Sequence, residues 1–318
     1  MGPASYAFRD RCLANGAATA TAAATVNLQQ DPEPRTNGMR LAVYHRTSFH
    51  YAAPVVQSMN TLHLEPRTFP YQKTISALVR VIPATRVRRF TDLFQNITHQ
   101  FELPNPHSKL EIESRIRVHN LPLDISRRSR EASMAELNDS SIRELIWPYL
   151  QESRWVSRYP EVWRQALDIV SSRASVFDQA CALMEWIHHE FEYHPGVTGV
   201  DTHLVEAFQM KRGVCQDFTH VMLGLCRSLG IPARYASGYL YNGPRDTLVG
   251  AQSSHAWSEV YLPAAGWIGF DPTNNTLADE RYIKVAVGRD YEDVAPVRGS
   301  YSGTGHCQMS VEVVVERI

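Results

Sequence analysis

The sequence predicts an α+β protein: an antiparallel, β-sandwich-like N-terminal domain, then a helical stretch, then a mixed domain ending in strands. Three observations predict it. Apolar residues alternate at period two between Leu41 and Val118. The period turns helical from about Ser133. Runs rich in β-branched and aromatic residues return after Gly230. A length of 318 residues suits two domains and a sizeable core. The expected boundaries are an extension over 1–38, a β-rich domain over 39–120, and a helical linker with the second domain over 121–318.

Composition narrows the function. With 32 basic and 33 acidic residues, no global charge attracts nucleic acid or an anionic membrane. No apolar stretch approaches the length of a membrane span. The five cysteines are widely spaced and form no C-x-x-C pair, which argues against a disulfide framework and a cysteine zinc site. A reducing, cytoplasmic setting is expected, and no metal or cofactor. Oligomeric state is not legible.

Residues 1–38 are rich in Ala, Thr, Asn, Gln and Pro and show no apolar period. Arg9 and Arg11 are followed by Leu13 and a polar-spaced alanine tract, not by the compact apolar core of a signal peptide. A disordered extension is expected, with Met39 an alternative start of the folded unit. Leu41, Val43, Thr47, Phe49 and Tyr51 then alternate as a half-buried strand. Ile75, Ala77, Val79 and Val81 alternate likewise, as do Leu110, Ile112, Ile116 and Val118. Asp92 to Asn96 has turn chemistry. Nothing in this domain has catalytic spacing, so a framing role is expected.

Segments 134–150, 160–171 and 176–191 read as helices, with Pro160 in a first turn. His189-Glu190-Phe191-Glu192-Tyr193-His194 imitates the zinc motif H-E-x-x-H, with the second histidine one position late. Residues five apart on a helix point roughly 140° apart, so the pair cannot share a metal.

Gly213 and Cys215 open the next helix. Phe218, Val221, Met222, Leu225 and Leu229 recur at helical spacing, and Gly230 and Pro232 end the run. Cys215 is therefore expected in the first turn, where free N–H groups and the helix dipole favour a thiolate. The plain alternative is a small buried hydrophobe, the role assigned to Cys226. Strands follow at Ala233–Tyr241, Ser254–Leu262 and Trp267–Thr273, the last two joined through Pro263-Ala264-Ala265-Gly266 as a hairpin. Met309–Val315 reads as a final strand and the Gly-rich 299–305 as a loop.

A cysteine nucleophile needs a base, and the base an orienter. His255 and Asp271 lie on the two arms of the hairpin. They share a face only if the turn holds an odd number of residues or a bulge, and direct opposition would centre the turn near Pro263. Otherwise His255 is a satisfied core histidine and Asp271 merely opens an Asp-Pro turn.

Gly213-Val214-Cys215-Gln216-Asp217, Gly230-Ile231-Pro232-Ala233-Arg234-Tyr235, Ser254-His255-Ala256-Trp257 and Gly266-Trp267-Ile268-Gly269-Phe270-Asp271-Pro272-Thr273 together resemble the transglutaminase-like superfamily. The chain from about Met39 to Ile318 resembles its bacterial cysteine-protease-like members, which carry a β-rich N-terminal domain. The resemblance implies a papain-like, transglutaminase-like α+β catalytic core with Cys215 as nucleophile, His255 as base and acid, and Asp271 as orienter. The Cys215 N–H is a reasonable oxyanion donor at a helix N-terminus. Trp257 is the candidate substrate wall; Asp217, His220 and Tyr235 are assigned structural roles. The implied reaction is thiol hydrolysis of peptide or carboxamide bonds in a peptide or protein substrate. Amine transfer and a non-catalytic binding module are the alternatives. No D-x-D-x-D-G calcium pattern appears, which disfavours regulated cross-linking.

Overall fold

The computed structural model describes residues 4–5, 38–170, 175–243 and 254–318. Its N-terminal domain is organised by one long strand. β1 (Ala4–Ser5) is a two-residue piece, and β2 (Met39–Glu65) runs for 27 residues. β3 (Gln72–Ile82), β4 (Val87–Thr91), β5 (Ile97–Leu103) and β6 (His107–Asn120) follow. The first half of β2 pairs with β6, from Met39 opposite Asn120 to His50 opposite Lys109, and its second half pairs with β5. A register shift between His50 and Val55 marks the passage between the two layers. Phe49, Tyr51, Leu62, Leu64, Phe101, Leu110 and Ile112 close the core between them. This is the sandwich-like arrangement that the alternating pattern predicts. The Asp92–Asn96 turn forms as expected: the Asp92 carboxylate accepts the Phe94 and Asn96 N–H groups, both at 2.8 Å. β3 is an edge strand, and a shift between Thr74 and Ser76 leaves Ile75 outside.

The helical stretch holds α1 (Arg127–Arg130), α2 (Ser140–Ile146), α3 (Pro160–Ile169), α4 (Val176–Glu190), α5 (Leu204–Met210) and α6 (Cys215–Ser228). The single helix expected over 134–150 is broken. Asp139 leaves helical geometry to cap α2 by accepting the Ser141 N–H, and Pro148 lies in a tighter turn at Trp147–Leu150. A short parallel pair, β7 (Glu192–Tyr193) with β8 (Arg212–Gly213), brings the chain into α6.

The second sheet has β9 (Ala233–Leu240), β10 (His255–Leu262), β11 (Gly266–Asp271), β12 (Thr276–Leu277) and β13 (Tyr282–Gly288), in the order β12-β11-β10-β9-β13. α6 is buried along most of its length between this sheet and the helices α3, α4 and α5. Val221, Met222, Leu223 and Leu225 are fully buried there, so the apolar stripe read from the sequence is a core stripe.

The last two strands, β14 (Val297–Ser302) and β15 (Cys307–Arg317), leave this sheet and pair with β2. The sequence reading put all of 121–318 in the second domain; the chain instead returns to finish the first. It also read 299–305 as loop, whereas Val297–Ser302 is strand. Gly299 allows this: a Cβ there would lie 2.2 Å from the Asn60 side-chain oxygen of β2. The extension expected over 1–38 lies almost wholly outside the described residues; its described piece, β1, pairs with β14.

The two domains share a core. Leu41, Val43, Ile116 and Val118 pack against Tyr239, Ile283 and Val285. The outer edge of β13 meets side-chain amides of the N-terminal domain. Gln72 donates to the Lys284 carbonyl at 2.7 Å and accepts its N–H at 2.8 Å. Asn96 treats Val287 the same way, both bonds being 2.8 Å. Asn120 donates to the carbonyls of Glu280 and Tyr282 at 3.0 and 2.9 Å.

Candidate active site

Cys215 is the first residue of α6 and is half-buried. Its N–H has no acceptor within the helix, as for any first-turn residue. The turn is held by Asp217, whose Oδ2 accepts the Val214 N–H at 2.8 Å and the Thr198 hydroxyl at 2.7 Å. Asp217 thus both caps the helix and ties down a neighbouring loop. Burial lifts its pKa to about 6 despite those donors. Gly213 is required by close approach, since a Cβ there would lie 2.4 Å from the Asp217 carboxylate.

The hairpin delivers the other two residues. β10 and β11 pair from Ser258 opposite Phe270 to Leu262 opposite Gly266, leaving a three-residue turn of Pro263, Ala264 and Ala265. The odd count puts His255 and Asp271 on one face, as their partnership demands. The turn centres on Ala264, not Pro263, because Gly266 joins the strand. Continued by one pair, the register sets Asp271 opposite Trp257 and diagonal to His255. His255 Nε2 donates to Asp271 Oδ2 at 2.7 Å, and the two residues are 1% and 0% exposed.

Burial alone would lower the His255 pKa. The Asp271 carboxylate, its hydrogen bond and the neighbouring Cys215 side chain outweigh burial and raise it to about 10. The Asp271 pKa is lowered: burial raises it, but His255 charge and hydrogen bonds from His255, Asn274 and Tyr282 prevail. His255 Nδ1 is buried without a complete hydrogen bond. The Cys215 side chain is nonetheless close enough to act on the ring and help raise its pKa. The structure brings Cys215, His255 and Asp271 into one site.

Two residues that the sequence reading missed complete the surroundings of Asp271. Asn274 Nδ2 and the Tyr282 hydroxyl each donate to Oδ2 at 2.7 Å. Oδ1 accepts the N–H groups of Thr273 and Asn274 at 2.9 and 3.3 Å. Asn274 follows the Asp-Pro-Thr motif closely enough to have been noticed. Tyr282 opens an apolar-rich strand, Tyr282–Gly288, that its composition alone would support.

Trp257 is 1% exposed and lies against His255, ring centroids 6.1 Å apart at 27°. Its other side borders a cavity of about 420 Å³ between the two domains, lined also by Phe69, Tyr71, Leu121, Trp267 and Tyr282. Glu259 in the cavity wall is saturated by Arg234 at 2.7 Å and Lys284 at 2.6 Å. His220 and Tyr235 are buried with their rings tilted against each other, centroids 5.3 Å apart, and His220 Nε2 accepts the Tyr291 N–H. His189 and His194 are separated by the end of α4 at Glu190. Among the described residues no group of three or more His, Cys, Asp or Glu side chains could hold a metal ion.

A half-buried cysteine opening a core helix, beside a histidine–carboxylate pair on an antiparallel hairpin, defines a papain-like α+β protein with thiol chemistry in reach. The family profiles agree: residues 164–272 match the transglutaminase-like superfamily and 41–119 the bacterial transglutaminase-like N-terminal region. An uncharacterized protein of Mycobacterium leprae is 35% identical over 294 residues, covering 88% of this chain and 99% of its own. The chain belongs to the transglutaminase-like superfamily. A protein-glutamine gamma-glutamyltransferase of Pseudomonas aeruginosa is 32% identical over 124 residues, 36% of this chain and 19% of its own. The structure of a candidate cysteine protease from Cytophaga hutchinsonii shares the fold, with a TM-score of 0.74 at 22% identity over 89% of this chain and 92% of that one.

Proposed function

We propose that the protein is a thiol hydrolase of peptide or carboxamide bonds, working through Cys215, His255 and Asp271. One observation carries the reading: a buried 2.7 Å His255–Asp271 bond beside a cysteine at the start of a helix. A histidine held protonated near neutral pH stabilises a thiolate next to it. The Cys215 sulfur attacks the substrate carbonyl and forms a thioester, while His255 gives its proton to the departing amine. The Cys215 N–H, at the helix N-terminus, stabilises the developing oxyanion. His255 then takes a proton from water, which attacks the thioester and releases the acid. Trp257, the candidate substrate wall, is the partition between His255 and the interdomain cavity. The substrate is a peptide or protein, with no role for nucleic acid or membrane. Among the described residues no helix is long and apolar enough to cross a membrane. A cytoplasmic setting is part of this proposal and rests on the wide spacing of the five cysteines in the sequence.

Amine transfer is the second reading, favoured by the similarity to the Pseudomonas aeruginosa glutamyltransferase. The two differ only in what resolves the thioester. The test is a peptide and carboxamide library, run with and without a primary amine, with mass spectrometry of the enzyme. An acyl group trapped on Cys215 and free acid product support hydrolysis; amide product in the presence of amine supports transfer. Full activity in Cys215→Ala would sink both.

A further inference from the structure

Asp271 meets more donors than orienting one imidazole requires. Its Oδ2 is shared by His255, Asn274 and Tyr282, each at 2.7 Å. Asn274 and the backbone of the same turn are local. Tyr282 is different, because it comes from β13, which does not pair with β11. We propose that Tyr282 is a positioning residue of the site: its hydroxyl shares the Asp271 carboxylate with His255 and so limits how tightly the imidazole holds its proton. This rests on the reading of Cys215, His255 and Asp271 as a triad.

The chemistry needs such a limit. His255 must hold a proton beside the thiolate yet release it to a leaving amine. A carboxylate concentrated on one imidazole favours the first at the expense of the second. A phenol donating to the same oxygen withdraws part of that charge. Burial and the Asp271 charge push the Tyr282 pKa far above its usual value, so the phenol stays protonated and acts as donor. Its position is fixed from two sides. The Trp257 ring packs on it edge-to-face at 5.3 Å, and Asn120 of the N-terminal domain donates to its own carbonyl at 2.9 Å. The titratable groups acting on the pair are Cys215 from α6, Asp271 from β11 and Tyr282 from β13; Asp279 and Arg281 act on Tyr282 from the preceding loop.

The test is Tyr282→Phe, which keeps the ring and removes the donor. With ¹⁵N-labelled histidine, the His255 resonance is assigned by its loss in His255→Gln and followed by NMR from pH 7 to 12. The midpoint in Tyr282→Phe is expected to rise by about one unit, a tenfold tighter hold on the proton. Cys215 should still be alkylated by iodoacetamide at pH 7 faster than an ordinary thiol, which shows that the site stays assembled in the variant. An unchanged or lowered His255 midpoint in the folded variant overturns the inference while leaving the triad intact. If Cys215 of the parent protein reacts no faster than an ordinary thiol, the triad fails and the inference with it.

Discussion

His255 shows how single residues set the chemistry. Without a carboxylate, burial would leave its imidazole neutral near pH 7; with Asp271 the balance reverses and the pKa rises to about 10. In Asp271→Asn the main influence opposing burial is gone, only the Cys215 side chain still counters it, and the imidazolium beside Cys215 is lost near neutral pH. Alkylation of Cys215 by iodoacetamide at pH 7 should slow by about tenfold or more, since each pKa unit is a factor of ten. Timed mass spectrometry of the modified peptide measures this, and an unchanged rate would exclude Asp271 as orienter. Cys226 makes the contrast. It is fully buried on α6 and burial pushes its thiol up to about 12. It sits eleven positions beyond Cys215 on that helix, a rise of roughly 16 Å, against the ~7 Å that a disulfide allows between Cα atoms. Cys226→Ala should leave the peroxide sensitivity of Cys215 unchanged and cost about 1 kcal/mol of packing. A Cys215–Cys226 disulfide in the folded, oxidised protein would contradict the helix placement.

Among the elements, β13 depends most on its surroundings. It is the edge of the second sheet, and an open edge leaves backbone groups unpaired. Here Gln72, Asn96 and Asn120 stand in for a neighbouring strand. Gln72→Met keeps the side-chain bulk but removes both bonds to Lys284. It should cost about 1–3 kcal/mol, the usual penalty for orphaning buried polar groups, read as a lower urea midpoint. An unchanged midpoint would mean that water replaces the amide without loss. This strand also marks where sequence reading stops. The α6 helix and the β10–β11 hairpin were legible because their signals are local: apolar spacing, a terminal glycine, a turn of fixed parity. Cys215, His255 and Asp271 could be picked out for the same reason. β13 and β14 draw their partners from distant chain, and Tyr282 meets Asp271 only through the fold. The helix expected at 134–150 failed for a local reason that was visible, Asp139 as a cap and Pro148 as a breaker.

At the scale of the whole molecule, the domains are joined through buried polar contacts as well as apolar packing. His45 of β2 lies in the shared core, its Nδ1 accepting from the Tyr239 hydroxyl of β9 at 2.9 Å and its Nε2 2.8 Å from Thr47 Oγ1. Among the described residues no carboxylate acts on it, and burial lowers its pKa from 6.5 to about 4. The sign of the consequence is fixed. Between those values the unfolded chain binds the proton that the folded protein refuses, so stability rises with pH across the window. The contribution is fully present above pH 6.5 and is lost as the pH falls through about 4. At 1.36 kcal/mol per unit, the fall from 6.5 to about 4 is worth roughly 3 kcal/mol. Urea midpoints should therefore drop on acidification from pH 7 to 4.5. In His45→Gln, which keeps polar atoms at the interface without a titrating group, the parent's curve should flatten by most of that amount. If parent and variant lose stability in parallel, the acid sensitivity lies elsewhere and His45 is no more than a spacer between the domains.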